Sequence, residues 1–579
     1  MNFTGQAKLR RAMVKPLPLW RPAGIWRGRW LLIGSCAAAF AVHGQNACTR
    51  GMVASVHPRA TEAGVTVLKS GGNAIDAAVA VGLMLGVVDA HNSGIGGGCF
   101  MLVRLADGTF RALDGREMAP AAATRDLFVR DGKGLTELSQ TGPLASGVPG
   151  EVAVFDYAVR HFGKKSLREL ALPAAEMAAT GFPVTETFVN RLRSVTNDLV
   201  RFDGSRELFM PEGKLPRVGA MFRQPDLART YRHLAERGSD WFYRGDFART
   251  TAAWMQAHGG ILTAADFAGY RMVLREPVRT TYRGYEVVAF PPPSSGGVHL
   301  LQMLNILEHF ALNRLEPATR WHVLAETMKL AFADRAYWLG DPDYAQVPRG
   351  LLSKAYAATL AARIDPQQVT PVSGHGWPPD WAADHFDRHT THWSVADAAG
   401  NWVACTATIN TTYGSKVVIP GTGVVLNNQM DDFSVQPGVP NAFGLVGAAA
   451  NAVAPRKRPL SSMTPTIVLR DGEPIIALGA AGGPKIITAV LVELVGMLDL
   501  GLSPQAALAQ PRLHHQWRPE ELQVESRLPR AVRQALEQRG HRVREHSALA
   551  VSQIVARSAE GKAFLGAADP RAAGAAAGW

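Results

Sequence analysis

Apolar positions over residues 60–69 recur at the three-to-four spacing of a helix, and Gly71-Gly72 ends the pattern. Asn73 follows as an N-cap. Residues 74–88 are then apolar almost without interruption, which predicts a second helix buried on all sides. Past "HNSGIGGGCF" the period changes to two. Residues 100–106 and 109–113 read as a hairpin about an Asp107-Gly108 turn, with Arg116 just beyond its exit. Residues 150–345 are mostly of helical period, interrupted by "FPPPSSGGVH" at 290–299. Residues 365–388, rich in Pro, Gly, His and Asp, predict an exposed connector, the kind of place where scission of a chain is tolerated. From Thr390 onward strands dominate. Residues 464–469 and 474–478 flank Asp471-Gly472 as a further hairpin, and "AAGGP" at 480–484 leads into a helix over 485–498. No internal repeat is seen, and the last dozen residues, rich in Ala and Gly, predict a loose tail. Hairpins together with long apolar helices predict an α+β layered fold.

The composition, 47% hydrophobic and 19% charged over 579 residues, is that of a globular protein. The length is compatible with about four ordinary domains. No low-complexity linker divides the chain, so one large unit is equally compatible. The first forty-four residues differ from the rest. They carry seven positive charges (Lys8, Arg10, Arg11, Lys15, Arg21, Arg27, Arg29), and no acid occurs before residue 50. An apolar run of thirteen residues, 30–42, is too short to span a bilayer and suits the core of a secretory signal. The expectation is a leader over 1–44, cleaved near Gly44 rather than lipidated at Cys36, with Met13 an alternative start. The mature protein would then be secreted, in a bacterium to the periplasm. Removing seven charges from the formal +12 leaves +5, so the sequence pI of about 9.7 belongs largely to the leader. A nucleic-acid partner is not indicated, because no Lys/Arg block is interleaved with aromatics. Four cysteines are too few and too scattered for a disulfide framework or zinc site, and their pairing is open. No HExxH, Walker or CxxC pattern is present, Gly94–Gly98 lacks a dinucleotide-binding context, and no metal or cofactor is called for.

The segment "HTTHWSVADAAGNWVACTATINTTYG", 389–414, carries the most chemistry. If the five residues 397–401 form the loop, Ala396 faces Trp402, and counting back opposes position 390 to 408 on one face of the sheet. Asn410 shares that face. A chain cut before Thr390 would present an N-terminal threonine whose own α-amine serves as base, with pKa about 7.7–8.0. Taken alone, the segment reads more readily as an ordinary pair of Thr-rich strands. Gly482 and Gly483, ahead of Pro484, can expose backbone N–H donors at a helix N-terminus as an oxyanion hole, or form a plain turn. "NNQMDDF" at 427–433 places Asp431 and Asp432 after a short apolar strand, 424–426, where a carboxylate can hold an ammonium or cap a helix. Ser461 and Ser462 precede a strand and can hold a carboxylate or be solvated turn residues.

From Gly51 to Arg571 the chain resembles the γ-glutamyltranspeptidases (γ-glutamyltransferases), which are N-terminal-nucleophile hydrolases. The resemblance rests on "GMVAS", "GGNAIDAAVAVG", "GREMAP", "LASGVPG", "PPPSSGGVH", "LGDPDY", "TTHWSV", "INTTYG", "LNNQMDDFS", "KRPLSSMTPT", the glycine pair at 482 and "DPR" at 569. It implies an αββα sandwich built, after autocleavage of the 389–390 bond, from a large subunit (45–389) and a small catalytic one (390–579). It implies Thr390 as nucleophile, Thr408 as its support, and Gly482 and Gly483 as oxyanion donors. Arg116 with Ser461 and Ser462 would grip the glutamyl α-carboxylate, and Asn410, Gln429 and Asp432 the α-amino group. The partners implied are glutathione and related γ-glutamyl compounds, with amino acids or dipeptides as acceptors. The poorly patterned stretch 433–460 is similar to a lid over the glutamyl pocket. Phe443 stands where a tyrosine is frequent, so a covering role is expected without a hydroxyl latch. Cys99 replaces a glycine of the family's run, a change the sequence does not explain.

Two rival readings remain. One is a cephalosporin-type (glutaryl) acylase of the same superfamily, whose acyl group has no amine. The other is an unprocessed, inactive homologue acting as a binding protein. Denaturing electrophoresis separates the last from the enzymes: maturation should yield fragments of 345 residues (45–389) and 190 residues (390–579), whereas Thr390→Ala should remain one inactive band.

Overall fold

The computed structural model describes residues 46–379 and 392–579. Two seven-stranded sheets face each other. One runs, in spatial order, Ala575–Gly578, Gly51–Ser55, Trp393–Asp397, Trp402–Thr408, Gly98–Arg104, Phe110–Gly115 and Val273–Arg275. The other runs Asn46–Cys48, Phe564–Ala568, Val551–Arg557, Glu473–Ala481, Thr466–Arg470, Tyr285–Ala289 and Val278–Tyr282. Each sheet therefore takes strands from both sides of the 380–391 segment.

Alternation along the strands assigns the layers. Met52, Ala54, Phe100, Leu102, Trp402 and Ala404 point inward and meet Val288, Phe290, Ile467, Ala477 and Val555 of the opposite sheet. Phe100 stacks on Phe290 across the seam, with ring centroids 4.3 Å apart. The other face of the first sheet, with Val53, Val103, Trp393 and Cys405, packs on helices Pro58–Lys69, Ala74–Val88, Glu151–Phe162, Leu167–Thr180 and Pro225–Arg244. The second sheet's outer face packs on Ser295–Leu307, Pro317–Trp338 and Lys485–Leu498. The architecture is the expected αββα sandwich, of α+β class.

Local chemistry explains the elements that hold the site. Asn73 and Asp76 form a reciprocal capping box at the start of the buried helix Ala74–Val88. The Asp397 carboxylate also accepts from the Ala74 N–H at 2.9 Å, which ties the Asp397–Asn401 loop to that helix N-terminus. The hairpin pairs Trp393 with Cys405 and Ala396 with Trp402, the register expected from the sequence. Asp471 and Gly472, both at positive φ (53° and 80°), make the turn between Thr466–Arg470 and Glu473–Ala481.

Four expectations are corrected. The C-terminal residues are not a loose tail: Ala575–Gly578 pairs with Gly51–Ser55 at the edge of the first sheet, and the Arg50 guanidinium covers the Trp579 ring. The largely helical middle contains a hairpin, Val278–Tyr282 with Tyr285–Ala289, closed by Arg283-Gly284. Residues 424–426 form no strand, only a bridge between Val418 and Val425. The first hairpin is shifted, its strands being Gly98–Arg104 and Phe110–Gly115.

Truncating the inter-sheet stack tests this layering. Phe100→Ala should cost about 3–5 kcal/mol, read as a lowered Tm by calorimetry. A Tm unchanged within a degree would contradict the packing.

Candidate active site

A cavity of about 580 Å³ opens where the strand Trp402–Thr408 ends. Thr408, Asn410, Gln429, Asp432, Ser461, Ser462, Gly482 and Gly483 all lie on its wall. Eight of the ten residues expected from the sequence are thus gathered in one place, from segments up to 75 positions apart. Thr390 lies outside the described residues. The cavity also extends past His57, Asp89, His91, Phe188 and Arg191.

Thr408 ends its strand opposite Gly98, and its hydroxyl accepts from the Asn410 N–H at 2.8 Å. A side chain at Gly97 would place Cβ 1.9 Å from the Thr408 carbonyl, so the glycine run lets the two backbones touch. Asn410 sits at φ 79° and donates its amide to the Asn428 carbonyl at 3.0 Å, leaving its side-chain oxygen available to the cavity. Gln429 donates to Asp432 at 3.4 Å, and its buried side-chain oxygen has no partner among the described residues. Orphaned buried acceptors are uncommon, and this one fits a ligand donor. Together with the Asp432 carboxylate these oxygens are acceptors of the kind that suit an ammonium group.

Gly482 and Gly483 both have positive φ (143° and 60°) and precede Pro484, the N-cap of helix Lys485–Leu498. The Phe443 ring leans against Gly483 so closely that a Cβ there would fall 2.7 Å from it. Phe443 and Leu445, from the 433–460 stretch, line the cavity, and Gln516 donates to the Phe443 carbonyl at 3.3 Å. This matches a cover anchored without a phenolic hydroxyl.

The charged residues differ from expectation in arrangement. Arg116 is fully buried and is not part of the cavity wall. Its guanidinium donates to Asp432 at 2.5 Å, to Glu117 at 3.2 Å and to the Pro459 carbonyl at 3.2 Å. Arg116 and Asp432 are therefore side by side, not at opposite ends of a ligand. That spacing suits two opposite charges carried on one α-carbon. Burial pushes the Asp432 carboxyl up to about 6 against the lowering effect of Arg116, and burial raises Glu117 to about 8, so Glu117 is largely neutral at pH 7. Asp431 faces away, accepting from Ser139 at 2.7 Å and from the Ala442 N–H at 2.9 Å, where it anchors the cover.

Arg335 and His392 are among the residues that escaped the sequence reading. Arg335, on helix Pro317–Trp338, lines the wall beside Ser462; the only sequence signal was a charged residue inside an otherwise buried helix. The His392 ring packs against Gly479 of the second sheet and bonds within the first, its Nε2 2.7 Å from the Ser394 hydroxyl and its Nδ1 3.2 Å from that of Thr406. Burial lowers its pKa to about 3, so it is a neutral spacer. Cys99 and Cys405 are buried, free and adjacent on the helix-facing side of the first sheet; nothing in the structure explains why Cys99 is preferred to glycine.

An αββα sandwich with a cavity at the end of its central hairpin defines the class of N-terminal-nucleophile hydrolases, and solved structures agree. The cephalosporin acylase of Bacillus halodurans superposes with a TM-score of 0.83 at 30% identity, covering 95% of this chain and 99% of that one. A Helicobacter pylori gamma-glutamyltranspeptidase chain superposes at 0.54 with 40% identity, covering 55% of this chain and 92% of its own. The family model for gamma-glutamyltranspeptidase matches residues 60–579, and the glutathione hydrolase proenzyme of Escherichia coli K12 is 44% identical over 527 residues, 90% of each chain. The chain belongs to the gamma-glutamyltranspeptidase family.

The electrostatics give a pH dependence with a definite sign. Asp432 accepts an ammonium only when ionised, so affinity for an amino-acid probe such as L-glutamate should be full above pH 6 and fall as pH drops through about 6. Titration calorimetry should show a loss of roughly tenfold per pH unit below that point, and Asp432→Asn should bind weakly with a flat profile. Equal affinity at pH 5 and pH 7.5 in the unaltered protein would contradict this.

Proposed function

We propose that this chain is the precursor of a γ-glutamyltransferase with glutathione hydrolase activity, secreted to the periplasm and matured by scission before Thr390. The observation that supports the reading is the set of acceptors on the cavity wall, where Asn410, Gln429 and Asp432 share the lining with Thr408 and Ser461. A γ-glutamyl group presents an ammonium and a carboxylate on one carbon and its scissile amide three bonds further along. The Asp432 carboxylate would meet the first and the Ser461-Ser462 pair the second, with the Arg116 guanidinium held against Asp432.

In this scheme the Thr390 hydroxyl attacks the γ-carbonyl carbon while its α-amine takes the hydroxyl proton. The carbonyl oxygen becomes an oxyanion held by the Gly482 and Gly483 N–H groups, each worth roughly 3–4 kcal/mol in the transition state. Collapse breaks the C–N bond, and the ammonium passes its proton to the leaving amine, for glutathione that of the cysteinyl-glycine part. A γ-glutamyl ester of Thr390 remains. Water or the amine of an acceptor amino acid or dipeptide then attacks the ester, and the α-amine again relays the proton. Thr408 steadies the nucleophile from the facing strand. No metal or cofactor enters the scheme.

The glutaryl acylase reading has support of its own, since a cephalosporin acylase superposes closely. A glutaryl group, however, has no ammonium to meet the acceptors of Asp432 and Gln429 on the cavity wall. Anilide assays decide between them: γ-glutamyl anilide should be turned over at least a hundredfold faster than glutaryl anilide, with release accelerated by a dipeptide acceptor. Equal rates would reject the γ-glutamyl assignment.

A further inference from the structure

Away from the cavity, the long helix Pro317–Trp338 presents His322, Glu326 and Lys329 on one buried face, at positions i, i+4 and i+7. Against that face lies His541, just past the helix Arg530–Gln538, its N–H bonded to the Leu536 carbonyl at 3.1 Å. Gly540, at φ 100°, makes the turn that brings it in. Arg335 of the same long helix reaches the cavity. The thirteen residues from 322 to 335 rise 1.5 Å each, which sets this cluster about 20 Å from the cavity along the helix.

The ligand-capable atoms of His322, Glu326 and His541 lie within 4.8 Å of one another, and all three side chains are buried. His322 Nδ1 is 2.8 Å from His541 Nε2, with the ring centroids 4.9 Å apart. His322 Nε2 lies 2.8 Å from the Asp365 carbonyl, which can only accept. That nitrogen therefore carries the ring's proton, and Nδ1 presents its lone pair to the cluster. Metal-binding histidines are oriented in this way, one N–H anchored on a carbonyl while the other nitrogen ligates. Burial lowers the His322 pKa and, with His322, Lys329 and Arg539 nearby, brings His541 down to about 3. Both rings are neutral at pH 7, as ligands must be. Glu326 accepts from the Thr370 N–H at 2.9 Å, and its other oxygen is 2.7 Å from Lys329 Nζ. These contacts pin the carboxylate and leave a lone pair on each oxygen.

We propose that His322, Glu326 and His541 form a structural site for one divalent zinc-type ion, which ties the helix Pro317–Trp338 to the segment after Arg530–Gln538. Two imidazoles and a carboxylate are a donor set that zinc takes in tetrahedral geometry, with water in the fourth position. Bonds of 2.0–2.1 Å set the two ring nitrogens about 3.3 Å apart, so binding spreads the pair by about 0.5 Å. In the metal-free pair His541 donates from Nε2. On binding, that proton moves to its Nδ1, Nε2 turns its lone pair to the ion, and no proton is released. Lys329 and Arg539 oppose a dication, which weakens the binding and keeps it exchangeable. The ligands come from both sides of the 380–391 segment, so a chain cut there would be clipped across the break. The inference is independent of the γ-glutamyl reading.

The test uses the full protein, dialysed against a chelator, and Zn2+ alone. Titration calorimetry should find one saturating site per chain, and a hundredfold excess over its Kd should raise Tm by about 2 °C. Co2+ in its place should give the strong visible absorption of a four-coordinate ion, not the faint band of the hydrated one. His541→Gln keeps an N–H to bond His322 and removes the imidazole ligand, so it should weaken binding by at least about tenfold. Substituting the exposed His258 by Gln should leave the affinity unchanged. Absence of a saturable site, or unchanged affinity in His541→Gln, would overturn the proposal. Should that variant fail to fold, X-ray absorption at the zinc edge of the unaltered protein decides. Two imidazoles with oxygen donors support the site, and any other ligand set overturns it.

Discussion

The structure depends on one strand being held along both edges and on both faces. Trp393–Asp397 is hydrogen-bonded to Gly51–Ser55 on one side and to Trp402–Thr408 on the other. Trp393 and Val395 are buried against the helices, and Ala396 is buried against the second sheet. His392 and Ser394 add a polar stitch, since Ser394 donates to the Ala477 carbonyl of that sheet at 3.0 Å. A strand so confined has no freedom to slide, because a one-residue slip would turn Trp393 from the apolar helix layer toward the seam. The strand's first residue, Trp393, is thereby held at a fixed point of the sheet, opposite Cys405.

A second constraint is the balance of charge around the cavity. Burial holds Glu117 neutral near pH 7, and Arg116 and Asp432 offset one another. Arg335 adds a positive charge beside Ser462, Asn410 and Gln429 line the wall with Asp432, and Asp89 and Arg191 are further charged residues of the cavity. Polarity across so short a distance discriminates between a zwitterion and an isosteric group with one charge removed. The low dielectric enhances both attraction and penalty.

How much of this was legible in the sequence depends on the range of the interaction. The Ala74–Val88 helix, its Asn73 cap and the Asp397–Asn401 loop are local, and their residues announce them. The hairpin register followed from counting outward from that loop. The Ala575–Gly578 strand was not legible: alanine and glycine carry no β signal, and the strand exists because Gly51–Ser55 offers an unpaired edge. The Val278–Ala289 hairpin was missed because Arg283, at φ 52°, is not a residue that marks a turn. Among site residues, the motif resemblance located the eight on the cavity wall. It gave no hint that Arg116 and Asp432, 316 residues apart, would touch, or that Arg335 would line the cavity.

The order of strands carries a further consequence. Each sheet interleaves strands from before residue 379 with strands from after residue 392. Any break between those points would leave two polypeptides woven through the same pair of sheets, without a smooth surface along which to part. Once unravelled, neither piece would retain half a sandwich on which the other could dock, so reunion would demand that both fold together from the start. Synthesis as a single chain, cut only after folding, is the route that such a weave permits.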